Sequence, residues 1–263
     1  MDEWWSTYRL NGKMIFVLPR VEYRIRNSAI VHKKVSIYQE QPFIVTLEEP
    51  SDFNSRNVLL PLPRRLAVFQ KNFKNGVIYV DAPASSAAGP NPLEYPLLNL
   101  VLSEILHSKK GIIFHACGVV KNNQCYLFLG HSGDGKSTMA KLWDGQAVIL
   151  NDDRVALKKN RKSFLAYPIP GYFGNFNSHN VMGGIKISKI FFLQKNDKNK
   201  AVPLNNIKAL SMLISYTPEV TWDNIIFREN INLLKQIAQN IPCYSLQFYP
   251  DKRIVKFIED LDK

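Results

Sequence analysis

Eight residues near the middle of the chain, Gly130 to Ser137 (GHSGDGKS), match the phosphate-binding pattern G-x-x-x-x-G-K-[ST] at every fixed position. Glycines let the backbone approach a ligand closely, so that successive N–H groups can surround an anion. In this pattern the lysine reaches the β- and γ-phosphates and the hydroxyl binds magnesium. The motif predicts a nucleoside triphosphate site; ATP and Mg²⁺ are the expected cofactors, and other triphosphates stay open. The residues expected to contact the nucleotide are Gly130, His131, Ser132, Gly133, Asp134, Gly135, Lys136, Ser137 and Thr138.

Two adjacent acids, Asp152 and Asp153, follow shortly after this motif. Carboxylates at the end of a buried strand beside a phosphate site are placed to hold a metal ion or to accept a proton. A pair of them allows a division of labour, in which one acid binds magnesium and the other acts as general base toward an incoming hydroxyl. The alternative is a simple turn at the end of the strand, where Asn and Asp are common.

The segments around these residues have the patterns that would position them. Tyr126 to Leu129 is a short apolar run, typical of a buried strand, and Ser137 to Trp143 is predicted to be a helix. Ala147 to Leu150 is a second apolar, β-branched run that ends at the acids. A strand, a glycine loop and a helix, in this order, form the arrangement that the phosphate motif requires.

The short distance between the glycine motif and the acids is the most specific feature, because most P-loop families insert far more chain there. With this spacing the sequence resembles the HPr kinase/phosphorylase group, which is related in fold to the ATP-dependent phosphoenolpyruvate carboxykinases. The run Asp152-Asp153-Arg154-Val155 and the histidine His115, on a predicted strand from Ile112 to Val120, add to the resemblance. It covers about residues 95 to 200.

The resemblance implies an α/β protein with the P-loop fold of the phosphoenolpyruvate carboxykinases and HPr kinases, in which helices flank a mixed sheet. It implies catalytic roles for Asp152, His115 and Lys136. Asp152 resembles the acid that deprotonates an acceptor serine, and His115 resembles the histidine beside that base. Ser137 and Asp153 are the expected metal ligands. Without the resemblance, a lone histidine on an apolar strand is more often a core residue.

Beyond Asp153 the sequence departs from the HPr kinases proper, which carry a Glu-Ile-Arg-Gly type signature tied to phosphorolysis. No such run occurs between Asp153 and Lys200. This region looks more like the divergent HPr-kinase-like proteins of peptide-modification systems, including kinases of lasso-peptide precursors. We therefore expect a kinase that phosphorylates a hydroxyl, in particular a serine, on a small protein or peptide. The other hypothesis is an ATPase that switches a partner-binding surface without phosphorylating an acceptor.

Composition favours a globular cytoplasmic protein. The chain has 263 residues, of which 46% are hydrophobic, and 34 basic against 22 acidic residues give a net charge of +12. This charge attracts anions such as ATP, an acidic peptide or nucleic acid, but no nucleic-acid-binding motif accompanies it. No apolar run is long enough to span a bilayer, so we expect no membrane partner. Cys117, Cys125 and Cys243 are predicted to be reduced core residues, and the resemblance makes a homo-oligomer an open expectation.

The chain divides by pattern into a β-rich N-terminal region, residues 1–85, and a catalytic domain, residues 93–263. The Pro- and Gly-rich stretch from Pro83 to Pro92 separates them. Within the first region, Asn11-Gly12 predicts a hairpin, and the basic segment Arg20 to Lys34 is either a docking surface or a solvated edge or loop. In the second, the loop from Gly171 to Gly184 is predicted to shape the acceptor pocket. Further elements are predicted at Leu93–Ser108, Ile185–Leu193, Asn206–Tyr216, Val220–Asn240, Ile241–Phe248 and Asp251–Leu261.

Overall fold

The computed structural model describes a mixed α/β protein of fourteen strands and five helices in the residues it covers. These are residues 6–10, 13–17, 21–26, 43–46, 65–69, 76–81, 97–161, 163–169, 181, 183–217 and 224–261, with side chains from residue 102 onward except 104 and 224–226. They divide into two compact units, one mainly Ile15–Ile105 and the other mainly Leu106–Lys263.

In the described chain, six strands come before residue 97 and all five helices begin at or after it. The strands are β1 (Ser6–Leu10), β2 (Lys13–Val17), β3 (Val21–Arg26), β4 (Phe43–Thr46), β5 (Arg65–Phe69), β6 (Gly76–Asp81), β7 (Gly111–Lys121), β8 (Gln124–Leu129), β9 (Val148–Asn151), β10 (Arg154–Asn160), β11 (Ser163–Pro168), β12 (Ile185–Lys195), β13 (Lys200–Pro203) and β14 (Cys243–Phe248). The helices are α1 (Leu97–Ser108), α2 (Lys136–Trp143), α3 (Asn206–Ser215), α4 (Asn224–Asn240) and α5 (Arg253–Asp260).

The described part of the first unit is built on a four-stranded sheet in the order β3-β6-β5-β4, while β1 and β2 pair separately. The pairing of β1 with β2 confirms the predicted hairpin. Strand β3 lies within the basic segment Arg20 to Lys34 and forms an edge of its sheet, where it pairs in parallel with β6. The linker Pro83–Pro92 lies outside the described residues.

The second unit is organised by an eight-stranded mixed sheet. Strands β8, β12 and β14 are parallel neighbours, and β7 runs antiparallel to β8, β9 and β10. Strand β11 pairs with both β10 and β12, so that β7, β8, β12, β11 and β10 close into a ring. The mixed sheet and its flanking helices confirm the predicted fold class.

Alternating apolar residues along the strands create a core on each face of this sheet. On β8, Leu127 belongs to one buried cluster and Phe128 to the other, because successive side chains of a strand point to opposite faces. Helices α3 and α4 cover the first face with residues such as Leu213 and Ile237. Helices α2 and α5 cover the second, which Trp143 helps to fill. All three cysteines are buried and free, as predicted.

Element boundaries agree closely with the sequence patterns where the periodicity is strong. The turn between β7 and β8 falls on Asn122 and Asn123, which have φ values of 50° and 59°, and asparagine tolerates this left-handed region better than most residues. Strands β10, β11 and β13 were not predicted. Most of the predicted loop from Gly171 to Gly184 lies outside the described residues. No helix in the described chain is long and apolar enough to cross a membrane.

The core on the α2 face gives a test of the packing. Trp143 is fully buried, and its ring stacks on Tyr126 with 6.0 Å between centroids. We expect Trp143→Ala to lower the free energy of unfolding by about 3–5 kcal/mol, the usual cost of truncating a buried tryptophan. Trp143→Phe should cost clearly less, because the buried indole Nε1 has no hydrogen-bond partner among the described residues. Urea denaturation measures both; equal losses would contradict this packing.

Candidate functional site

The glycine loop begins where β8 ends, at the edge of the sheet formed by the carboxyl ends of the parallel strands β8, β12 and β14. The last residue of β8 is Leu129 and α2 starts at Lys136, so the loop is a tight connection. Lys136 is only 7% exposed, and its Nζ donates to the backbone oxygens of Gly130 at 2.7 Å and His131 at 3.0 Å. Burial lowers the pKa of Lys136, an effect that the nearby negative charge of Asp153 opposes.

Gly135 is the N-cap residue immediately before helix α2, and glycine is required there for two reasons. Its φ of 110° lies in the region that side-chain-bearing residues avoid. A β-carbon on Gly135 would also lie 2.6 Å from Cζ of Phe248, at the end of β14. The fully buried Phe248 ring therefore packs against the bare backbone at the helix start, which keeps the loop close to the sheet.

The outer part of the loop is held by Asp134 and an aromatic contact. Asp134 Oδ2 accepts from the backbone N–H of His131 at 2.6 Å, and Asp134 N donates to His131 O at 3.2 Å. The imidazole of His131 lies against the ring of Tyr216, with 4.5 Å between centroids. Burial raises the pKa of Tyr216, and the charge of Asp134 adds to this shift. These contacts connect the loop to the end of α3.

The turn between β9 and β10 presents the two aspartates. Asn151 is buried, and its Oδ1 accepts from the backbone N–H groups of Asp153 at 2.9 Å and Arg154 at 3.0 Å. This is the Asx turn that the sequence left as an alternative explanation for the acids. The same turn also sets the Asp153 carboxylate on the side of the glycine loop, so the two explanations do not exclude each other.

His115 and Asp153 form the shortest side-chain contact of the site, with 2.6 Å between Nε2 and Oδ1. Strand β7 brings them together, because it pairs with β10 in a register that sets His115 opposite Arg154. The backbone supports the pair, since Ala116 N donates to Asp153 O at 2.9 Å and His115 N to Tyr216 O at 3.1 Å. The hydrogen bond from His115 lowers the pKa of Asp153, and Arg154, whose Nε lies 3.3 Å from Oδ2, contributes less.

These elements enclose a pocket of about 220 Å³. One wall is the glycine loop and the first turn of α2, another is the His115–Asp153 pair, and Lys195 from the end of β12 completes the lining. The donor set combines cations, a hydroxyl and a carboxylate, a combination suited to a phosphate chain with a hard metal ion. The lining residues are His115, Ser132, Gly133, Gly135, Lys136, Ser137, Thr138, Asp153 and Lys195.

The sequence-based assignment placed His115 beside Asp152, whereas the structure pairs it with Asp153. Asp152 is half-buried in the same turn and does not line the pocket, although its charge reaches both Lys136 and the buried Cys117. Three contributors were missed: Asn151, Lys195 and Tyr216. The signal for Lys195 was its position at the carboxyl end of a predicted strand; Tyr216 carried no signal, because its role depends on contacts distant in sequence.

The fold and the pocket define the second unit as a mixed α/β protein with a glycine-loop site at the carboxyl edge of its sheet. A model of the family described as SynChlorMet cassette protein ScmC matches residues 96–261. The chain therefore belongs to the ScmC family. No curated protein matches the chain. Among solved structures it is similar to the Hpr(Ser) kinase/phosphatase from Coxiella burnetii, at 15% identity and a TM-score of 0.33, over 57% of this chain and 92% of that chain.

Substitutions at two glycines of the loop allow the cost of backbone strain to be measured separately from the cost of a steric clash. Gly133 has a φ of 93° with open space where a β-carbon would be, whereas Gly135 faces Phe248. We expect Gly133→Ala to cost about 1–2 kcal/mol of unfolding free energy from the positive φ alone, and Gly135→Ala to cost more. In a double-mutant cycle with Phe248→Leu, the extra cost of Gly135→Ala should shrink. Equal costs for the two alanine variants in urea denaturation would argue against the observed packing.

The His115–Asp153 pair predicts a pH dependence of stability. Because the folded pKa of Asp153 is lowered, its contribution is complete above the unfolded value of about 3.9 and is lost as the pH falls through the folded value. The free-energy difference between the wild type and Asp153→Asn should therefore be larger at pH 6 than at pH 3. Denaturation at both pH values measures it. His115→Phe serves as control, since Asp153→Asn should then cost less. A pH-independent difference would contradict an ionised Asp153 that accepts from His115.

Proposed function

We propose that this chain is a magnesium-dependent ATP phosphotransferase that phosphorylates a hydroxyl, most specifically a serine, on a small protein or peptide. The observation that carries the proposal is the single pocket that contains the glycine loop with Lys136 and Ser137 and, facing them, the His115–Asp153 pair. A nucleotide site alone would need only the loop. An ionised carboxylate held beside it supplies a ligand for the magnesium ion that phosphoryl transfer also requires.

The nucleotide would bind along the glycine loop. Backbone N–H groups at the start of α2 and the ammonium of Lys136 would stabilise the charge of the transferring phosphoryl group. Lys136 is held in place by two backbone oxygens of its own loop, so little side-chain reorganisation is needed before it meets a phosphate. Burial strengthens this interaction, because a buried charge is less screened by water than an exposed one.

Ser137 and Asp153 would hold the magnesium ion. Their hydroxyl and carboxylate oxygens are the hard ligands that Mg²⁺ prefers, and both line the pocket. Within the described residues there is no group of three or more His, Cys, Asp or Glu side chains arranged for a metal. This favours magnesium bound with the nucleotide, since Mg²⁺ usually takes only one or two protein ligands. When bound, it would neutralise phosphate charge.

Asp152 would act as general base toward the acceptor hydroxyl, with Asp153 supporting the metal. Asp153 lines the pocket beside Ser137, which supports its metal role, and His115 fixes its orientation. Asp152 immediately precedes Asp153 in the same turn. Arg154 Nε lies 3.3 Å from Asp153 Oδ2. This ion pair favours a role for Arg154 in holding the carboxylate rather than in binding phosphate directly.

Phosphoryl transfer from γ-labelled ATP with magnesium tests the proposal. HPr is one acceptor to offer, and small proteins and peptides encoded beside this gene are the others, because the family's name refers to a cassette. We expect label in a serine of one acceptor, and its loss in Lys136→Met. ATP turnover without label in any acceptor would instead support the ATPase hypothesis.

Conservative variants of the two acids separate their roles. Asp152→Asn should lower the transfer rate by at least about 10²-fold, the typical contribution of a general base, with little change in affinity for MgATP. Asp153→Asn should instead raise the magnesium concentration that is needed for half-maximal rate. The reverse pattern would exchange the two roles, and full activity in both variants would overturn the assignment.

A further inference from the structure

Lys195 is the pocket-lining cation that the proposed function leaves without a role. It is the last residue of β12, and it is exposed at the carboxyl edge of the sheet. Because β12 runs parallel to β8 with Phe192 level with Leu129, the chain reaches the height of the glycine loop just beyond this pair. Lys195 is thereby carried to the loop by a rigid, paired strand rather than by a flexible connection.

The stem of Lys195 packs onto the start of helix α2. Its Cε would lie 3.4 Å from a β-carbon at Gly135, an ordinary van der Waals distance, and Phe248 lies directly opposite Lys195 in the pairing of β12 with β14. The aliphatic chain therefore covers part of the glycine backbone, and Lys195 is one of the residues that line the pocket. Lysine commonly divides its side chain in this way between an apolar stem and a solvated charge.

The charges of the residues that line the pocket favour an anionic ligand beside Lys195. Asp153 is the only acid in the lining, and it is engaged with His115 and Arg154. Across the part of the chain that the structure describes, no acidic side chain forms an ion pair with Lys195. Lys195 is thus a cation beside a phosphate-type loop, with no acidic ion-pair partner among the described residues.

Sheet order indicates which part of a nucleotide this cation meets. Strands β7 and β12 lie on opposite sides of β8. The terminal phosphoryl group would lie on the β7 side, near the pair of His115 and Asp153, because transfer takes place there. A cation that approaches from β12 would meet the remainder of the phosphate chain.

We propose that Lys195 is a nucleotide-binding residue that contacts the α- and β-phosphates of the nucleoside triphosphate. This inference rests on the proposed nucleotide site and adds a second lysine to it, from a different strand. Since ATP and ADP share these phosphates, the interaction contributes equally to the binding of substrate and product nucleotide. Such uniform binding acts on affinity and KM rather than on the rate at saturating nucleotide.

Titration calorimetry with MgATP and MgADP on the full chain tests this assignment. Lys195→Gln should weaken the binding of both nucleotides by about tenfold, the lower range for losing a hydrogen bond to a charged group. Lys195→Arg should stay within about threefold of the wild type, because it retains the charge. The matched control is Lys198→Gln, which removes one exposed lysine from the turn that follows β12 and should leave both affinities unchanged.

Each other outcome has a defined meaning. Equal effects of Lys195→Gln and Lys198→Gln would overturn the assignment, because only net charge would then matter. A loss confined to MgATP would move Lys195 to the γ-phosphate and also overturn it. Wild type that binds neither nucleotide would overturn it together with the proposed function. Wild type that binds both but transfers no phosphoryl group would refute the kinase alone, and the comparison of affinities would still decide the role of Lys195.

Discussion

The hydrogen bond between His115 and Asp153 depends on the position of strand β7 in the sheet. This strand pairs with β8, which leads into the glycine loop, and with β9 and β10, which flank the acidic turn. One strand thereby fixes the histidine, the loop and the carboxylate relative to one another. Because β7 is hydrogen-bonded to a strand on each side, His115 lies on a paired strand rather than on a connecting loop.

The glycine loop is pre-organised by contacts within the protein. Lys136 donates to carbonyl groups of the loop, Asp134 accepts from the N–H of His131, and the ring of Phe248 packs on Gly135. These contacts lower the conformational freedom that the loop would otherwise lose on binding a ligand. They also explain why a lysine that is 7% exposed is tolerated at this place, since each buried charge needs polar partners.

The acidic turn closes the strand and also presents a carboxylate to the pocket, two features that sequence reasoning treats as alternatives. Asn151 closes an Asx turn, which satisfies two backbone donors at the end of a buried strand. The same turn directs Asp153 toward the pocket, while Asp152 lies outside the lining. A strand-ending motif can therefore be required by the fold and also place a carboxylate in a pocket, because the turn geometry determines which of two adjacent carboxylates lines it.

The sequence by itself determined the local parts of this protein. The apolar runs predicted β7, β8 and β12, and the glycine spacing identified the loop, because each of these signals depends on residues close together along the chain. Only the tertiary structure decided that His115 pairs with Asp153, that Tyr216 supports the loop and that Lys195 completes the pocket. These relations depend on strand register and sheet order, which place residues from distant parts of the chain side by side and leave no periodic trace in the sequence.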